Sequence, residues 1–104
     1  MKKTLNLKVL QLENKNQFVI ETNEKRYFQS YDSLVAIYDK QKQTLLLGRD
    51  WDYSNTTKKH LYIFIFDYCY LPTVEQELKS SRNKTKTMRE LIKNKVVKYD
   101  ENIK

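Results

Sequence analysis

Apolar and polar residues alternate along the first part of the chain, and this alternation predicts β-strands. The turns between the predicted strands are polar and only a few residues long. We therefore predict an antiparallel meander, because parallel neighbours need long crossover connections. The predicted strands cover residues 4–12, 17–22 and 26–30, and the turns cover residues 14–16 and 23–25.

A second hairpin is predicted after the meander, from residues 33–38 and 43–47, and Gly48 ends it. A helix starting at Asp32 competes with the first of these strands, since several of its apolar residues tolerate either state. The β-branched and aromatic side chains favour the strand. The chain has one glycine and one proline, so we expect Asn or Asp to take the left-handed turn positions.

The pattern changes after Trp51, which we expect to be buried as the anchor of the turn behind the second hairpin. Ser54 or Thr56 is a candidate N-cap for a helix that follows. The run at residues 61–66 (Leu-Tyr-Ile-Phe-Ile-Phe) is nevertheless rich in strand-forming residues. The sequence therefore leaves helix and strand open for residues 55–70.

Two capping-box patterns predict further helices near the C-terminal end of the chain. Thr73 is followed by Gln76, and Thr87 is followed by Glu90. Residues 80–86 between them are polar and basic, which is typical of an exposed loop. The prediction for residues 1–104 is one α+β domain with an antiparallel sheet of about five strands and two or three C-terminal helices.

The sequence also bears on the location of the protein. The longest apolar stretch, residues 61–66, is too short to cross a bilayer, and no apolar run of signal-peptide length follows the first Lys residues. Cys69 is the single cysteine, so an intramolecular disulfide is excluded and a reducing compartment is favoured. We expect Cys69 to be a buried small hydrophobe and the protein to be cytoplasmic.

Charge is concentrated in a basic C-terminal segment, residues 79–104. It carries nine Lys or Arg residues against three acids, whereas the first 78 residues carry eleven basic residues against ten acids. Such an asymmetry favours a polyanionic partner, because basic side chains that neutralise phosphates release condensed counterions. The alternative is a solvated helix face that keeps the protein soluble.

A second candidate region, residues 48–60, places aromatic residues beside cations, as single-strand nucleic-acid binders do. The competing interpretation is a loop anchored by Trp51 with a helix cap. Together the two regions give these candidate binding residues: Arg82, Lys84, Lys86, Arg89, Lys93, Lys58, Lys59, His60 and Tyr53.

Catalytic interpretations have less support. Asp50 and Asp52, with Asp32, offer carboxylates for a hard metal ion in a nuclease. His60, the only histidine, lies beside two lysines and is interpreted as a surface contact rather than a general base. A triad of Ser54, His60 and Asp67 lacks the glycines of a nucleophile elbow. We therefore expect no catalytic residues, no metal and no cofactor.

Two stretches of the chain resemble a family of small, uncharacterised proteins encoded by bacteriophages and other mobile elements. They are residues 28–36 (Phe-Gln-Ser-Tyr-Asp-Ser-Leu-Val-Ala) and residues 51–59 (Trp-Asp-Tyr-Ser-Asn-Thr-Thr-Lys-Lys). The family pattern is a Phe-x-Ser-Tyr-x-Ser hairpin followed by Trp-x-Tyr-Ser-x-Thr-Thr. The resemblance covers roughly residues 26–64. The C-terminal third departs from it, since Phe-Ile-Phe at residues 64–66 replaces a Phe-Leu-Gly step and a basic segment is added.

The resemblance implies a phage or mobile-element origin and supplies no catalytic residues. Small proteins of that origin often act as stoichiometric inhibitors of host defence, including CRISPR effectors. The expected function is a non-enzymatic binding protein that blocks a nucleic-acid-binding or nucleoprotein surface of a host defence complex in the bacterial cytoplasm. A small basic nucleic-acid-binding protein of phage replication or transcription is the alternative, and a metal-dependent nuclease is the third.

Overall fold

Strands and helices segregate along the chain, as the α+β prediction requires. The computed structural model describes residues 7–12 and 15–104, and within them six strands and three helices occur. In chain order they are β1 (Lys8–Gln11), β2 (Gln17–Glu21), β3 (Lys25–Ser30), β4 (Ser33–Asp39), β5 (Thr44–Gly48), α1 (Asn55–Tyr68), α2 (Pro72–Lys79), α3 (Lys84–Lys93) and β6 (Lys98–Asp100).

The sheet keeps the order of the chain, from β1 at one edge to β6 at the other. The first five strands form four antiparallel neighbouring pairs, which confirms the predicted meander and hairpin and excludes a helix from Asp32. Residues 4–6 of the first predicted strand, and part of its turn, lie outside the described residues. Short polar connections fix this topology locally.

The sixth strand was not predicted. β6 pairs parallel with β5, with Leu46 opposite Lys98. The chain then runs back across Gly48, where an added Cβ would lie 2.6 Å from the Ile103 carbonyl oxygen, and that oxygen accepts the Arg49 N–H at 2.8 Å. Gly48 is therefore required by a close backbone approach as well as by the end of the strand.

The open question at residues 55–70 is resolved as helix for Asn55–Tyr68. Ser54 caps α1, since its side chain accepts the Thr57 N–H, and the buried residues of α1 recur at helical spacing: Thr57, His60, Leu61, Phe64 and Ile65. The strand-forming run at residues 61–66 is therefore part of α1, with one face packed against the sheet and the other partly exposed. Tertiary packing overrides the composition of the segment.

Both predicted capping boxes are wrong in register. α2 begins at Pro72, so its N-cap residue is Leu71 and not the predicted Thr73. The Leu71 backbone N–H donates to the Glu75 carboxylate. α3 begins at Lys84, where the Asn83 side chain accepts the Lys86 N–H. The predicted loop at residues 80–86 is therefore shortened to four residues, and the last part of it is helical.

The core lies between the three helices and one face of the sheet, which we call the inner face. Val19, Phe28, Ala36 and Leu47 form a buried cross-strand row there. The Phe64 ring of α1 stacks on Phe28 with ring centroids 5.8 Å apart. The sheet and α1 therefore share one continuous apolar layer.

Within residues 7–12 and 15–104, the left-handed positions are not taken by Asn or Asp, contrary to expectation. Tyr31, Gln43 and Lys95 have φ angles of 54°, 52° and 60°. Lys95 ends α3 in a Schellman motif, in which the Lys95 N–H donates to Ile92 and the Val96 N–H donates to Leu91. A long side chain therefore takes a position that favours glycine.

Replacing Lys95 by Gly should raise the free energy of unfolding by about 0.5–1 kcal/mol, because relief of the left-handed backbone outweighs the added freedom of the unfolded chain. Lys93→Gly is the matched control. It removes the same charge from the last helical turn and should lower stability by a similar amount. Urea denaturation of both variants measures the difference, and a destabilised Lys95→Gly protein would contradict the argument.

Candidate functional site

The first two turns of α1 separate two depressions on the protein surface. At the start of the helix a chain of hydroxyls ties α1 to the sheet. The Thr57 hydroxyl lies 3.0 Å from that of Ser30 in β3 and accepts from the Ser54 hydroxyl at 3.1 Å. Ser54 thereby holds both the backbone and a side chain of the first turn, which fixes the direction in which α1 leaves the loop.

On one side of α1 lies a cleft of about 540 Å³, which we call the hydroxyl cleft. Its two walls are the β3–β4 turn and the start of α1, and it is lined by Ser30, Tyr31, Asp32, Ser33, Val35, Asp50, Tyr53, Ser54, Thr56 and Thr57. The two stretches that carry the resemblance, with 14 residues between them in the sequence, thus meet at one place. Asp50 is held there by the Ser33 hydroxyl at 2.9 Å.

Two tyrosine side chains are exposed at this cleft. Tyr53 is 76% exposed, and Tyr31, with its left-handed backbone, is 48% exposed. The Tyr31 conformation is held by its N–H, which donates to Asn16 at 2.7 Å, and by the Gln29 amide, which donates to the Tyr31 carbonyl. Exposed aromatic rings beside polar acceptors suit a planar ligand.

On the other side of α1 lies a second depression of about 390 Å³, which we call the lysine groove. It is lined by Asn55, Lys58, Lys59, Tyr62, Lys84 and Thr85. Lys58 of α1 donates to the Thr85 hydroxyl of α3 at 3.2 Å, which ties the two helices together. Burial raises the pKa of Tyr62, while the neighbouring Thr85 side chain opposes that rise. Lys84 comes from α3, so the groove collects cations that are 25 residues apart.

The other basic candidates lie elsewhere. Lys86, Arg89 and Lys93 follow the exposed face of α3, and Arg82 lies in the connection before it. Arg89 donates to the Asp52 carboxylate at 3.0 Å. The basic C-terminal segment therefore includes the end of α2, all of α3 and β6. The structure brings three of the nine predicted binding residues into one depression, namely Lys58, Lys59 and Lys84.

The surface role predicted for His60 is wrong. Its side chain is 3% exposed, and its Nδ1 is hydrogen-bonded to the Thr56 carbonyl at 2.8 Å. Gln17, paired with Ser30 across β2 and β3, is likewise buried. His60 lies three residues after Thr57 and one before Leu61, so helical spacing would have placed it on the inward face. The preceding lysines concealed that signal.

The three carboxylates considered for a metal site are divided between two surface depressions. Asp32 and Asp50 both line the hydroxyl cleft, whereas Asp52 is held by Arg89 in a different depression. No group of three His, Cys, Asp or Glu side chains that could hold a metal ion occurs within the described ranges. His60 and Asp67 lie seven residues apart on one helix, about 10 Å along its axis, and cannot share a proton directly.

Cys69 follows the end of α1 and is partly buried, where it packs against the core as an apolar residue. Burial raises the pKa of its thiol. The thiolate is the reactive form, so this environment makes Cys69 a poor nucleophile at neutral pH.

Comparison with protein-family models identifies a family for this chain. The model of a family of unknown function, DUF8033, matches residues 6–90, a range that includes both the hydroxyl cleft and the lysine groove. No curated protein and no solved structure matches the chain. Among the described residues, no helix has the length and apolar character needed to cross a membrane.

Trp51 is 4% exposed, which confirms its predicted burial. Trp51→Ala should lower the free energy of unfolding by about 3–5 kcal/mol, because the truncation leaves a cavity in the core. Tyr53→Ala is the control from the same loop and should change stability by less than about 0.5 kcal/mol, since that ring is exposed. Chemical denaturation of both variants measures the difference, and equal effects would refute the anchoring role.

Proposed function

We propose that this chain, which belongs to the DUF8033 family, is a non-enzymatic binding protein that holds the phosphate backbone of a nucleic acid in its lysine groove. Convergence of Lys58, Lys59 and Lys84 from two helices is the observation that supports the proposal. Clustered ammonium groups bind phosphates as point charges, and they release condensed counterions when they do so.

An exposed aromatic residue on the other side of the start of α1 adds a second element to the proposed binding surface. Tyr53 lies two residues before α1 and lines the hydroxyl cleft, so its ring offers a stacking platform across the first turn of the helix from the lysine groove. Stacking on aromatic rings accepts every base, whereas duplex DNA keeps its bases paired. The proposed ligand is therefore single-stranded, or a nucleic acid with unpaired bases.

Charge also selects which part of a nucleoprotein is contacted. The chain carries a net charge of +7. A nucleic-acid-binding surface of another protein is itself basic and would repel it, whereas the nucleic acid would attract it. We therefore propose that the protein acts on a nucleoprotein by engaging its nucleic acid. The resemblance described above extends this proposal to a complex of host defence.

The lysine groove can be tested through the salt dependence of binding. Lys58→Ala, Lys59→Ala and Lys84→Ala together should weaken binding to a short single-stranded oligonucleotide. The slope of log K against log salt should fall by about 0.7–0.9 for each phosphate contact that is lost. Fluorescence anisotropy at several salt concentrations measures the slope.

The matched control removes three exposed lysines elsewhere, Lys15, Lys42 and Lys104, and so changes the net charge by the same amount. It should leave most of the slope intact. If both triple variants lose the same slope, the groove has no special role and only the overall charge matters. If wild-type protein binds no oligonucleotide at low salt, the proposal fails.

Binding without turnover makes a stoichiometric prediction. When a target nucleoprotein is titrated with this protein, inhibition should saturate near one equivalent, because a binding protein acts by occupying a surface. Pretreatment of the protein with EDTA should not change that titration. The Asp50→Asn and Asp52→Asn double variant should behave like wild type. Cleavage of many equivalents of nucleic acid, abolished by EDTA or by the double variant, would refute the binding proposal and favour the nuclease.

A further inference from the structure

The face of the sheet that points away from the helices, which we call the outer face, carries an apolar row across five consecutive strands. The pairing register places Val9 opposite Ile20, Ile20 opposite Tyr27, Tyr27 opposite Ile37 and Ile37 opposite Leu46. The row ends at β6, where Lys98 lies opposite Leu46. Such a row is unusual on a solvated sheet face, where polar residues normally alternate with buried ones.

Burial confirms that this row is not part of the core. The members on β2 to β5 are only partly buried, and Val9 is 58% exposed. None of the five belongs to the buried core or to the partly buried residues that pack against it. Phe18 and Leu34, which both pair with Gln29, extend the apolar surface one row along the same face.

We propose that the outer face is a self-association surface, on which a second copy of this chain packs sheet against sheet. A two-fold interface brings the same patch of both copies together, so the patch must be self-complementary. The row contains no charged residue from Val9 to Leu46, so two copies bring apolar side chains together at its centre without opposing like charges. The result is a sandwich of two sheets about 10 Å apart with the helices outside.

The size of the apolar row limits the strength of this contact. Five strands at about 4.8 Å and five residues at about 3.3 Å span roughly 24 by 17 Å, or about 400 Å² on each copy. Two copies together would bury about 800 Å², which is in the range of weak, transient interfaces. The contact is therefore expected to be a reversible dimer rather than an obligate one.

Salt distinguishes this contact from nucleic-acid binding. Each copy carries a net charge of +7, so the two copies repel each other at low ionic strength. Added salt screens that repulsion and leaves the apolar contact intact. Dimerisation should therefore strengthen as salt rises, whereas nucleic-acid binding weakens. The dimer does not depend on the proposed nucleic-acid function, and each can fail without the other.

The test is the molar mass of the full chain, measured by light scattering and sedimentation across protein concentration. Wild type should reach the dimer mass by about 200 µM at moderate salt. The Ile20→Thr and Ile37→Thr double variant keeps β-branched side chains in the strands and should weaken dimerisation at least about 100-fold, because four apolar side chains leave the two-fold interface. Val96→Thr, which alters an exposed apolar residue outside the sheet, is the control and should dimerise like wild type.

Circular dichroism shows whether the double variant is folded. If the double variant is unfolded, the molar mass of wild type still tests whether the protein dimerises. Wild type that remains a monomer at all concentrations would exclude a second copy as the occupant. A dimer that persists in the folded double variant, or that is lost equally in Val96→Thr, would place the contact elsewhere. A dimer that weakens with salt would likewise overturn an apolar interface.

Discussion

Packing of α1 across the inner face of the sheet is the contact on which the rest of the molecule depends. It is fixed in the middle by the stacking of Phe64 on Phe28 and at the start by the hydrogen bond between Ser30 and Thr57. At the other end of the helix, Arg26 donates to the Tyr68 carbonyl at 2.7 Å. Once α1 is held at three places, its N-terminal turns necessarily direct hydroxyls to one side and lysines to the other.

The basic side chains of the C-terminal segment are continuous in the sequence but not in the structure. Folding distributes them over separate surfaces. Arg89 neutralises Asp52, which belongs to the loop before α1, and an exposed pair of this kind contributes little to stability. Lys84 instead joins two lysines of α1 in a shared groove. The local concentration of positive charge therefore depends on how α3 packs beside α1 more than on the composition of the segment.

The elements of this fold that form through local interactions were predictable from the sequence, and those that depend on distant contacts were not. The five antiparallel strands were predictable because alternation and short polar turns are local signals. The state of residues 61–66 was not, because these residues suit either element and only the sheet beneath them decides. β6 has three residues and pairs with a strand about 50 positions earlier, which leaves no local signal. Burial of Trp51 was predicted, but the meeting of Lys58 with Thr85 requires the fold itself.

Parallel pairing of β6 with β5 has a consequence for the order of folding. The meander closes through loops of a few residues, whereas β6 can dock only after three helices have been arranged between the two strands. Loop closure costs more entropy as the loop lengthens, so the hairpins form first and β6 arrives late. Because β6 docks late and is held through only three residues, we expect it to detach early in unfolding. The β5 edge of the sheet is therefore a place where the native protein can open locally while the antiparallel meander stays paired.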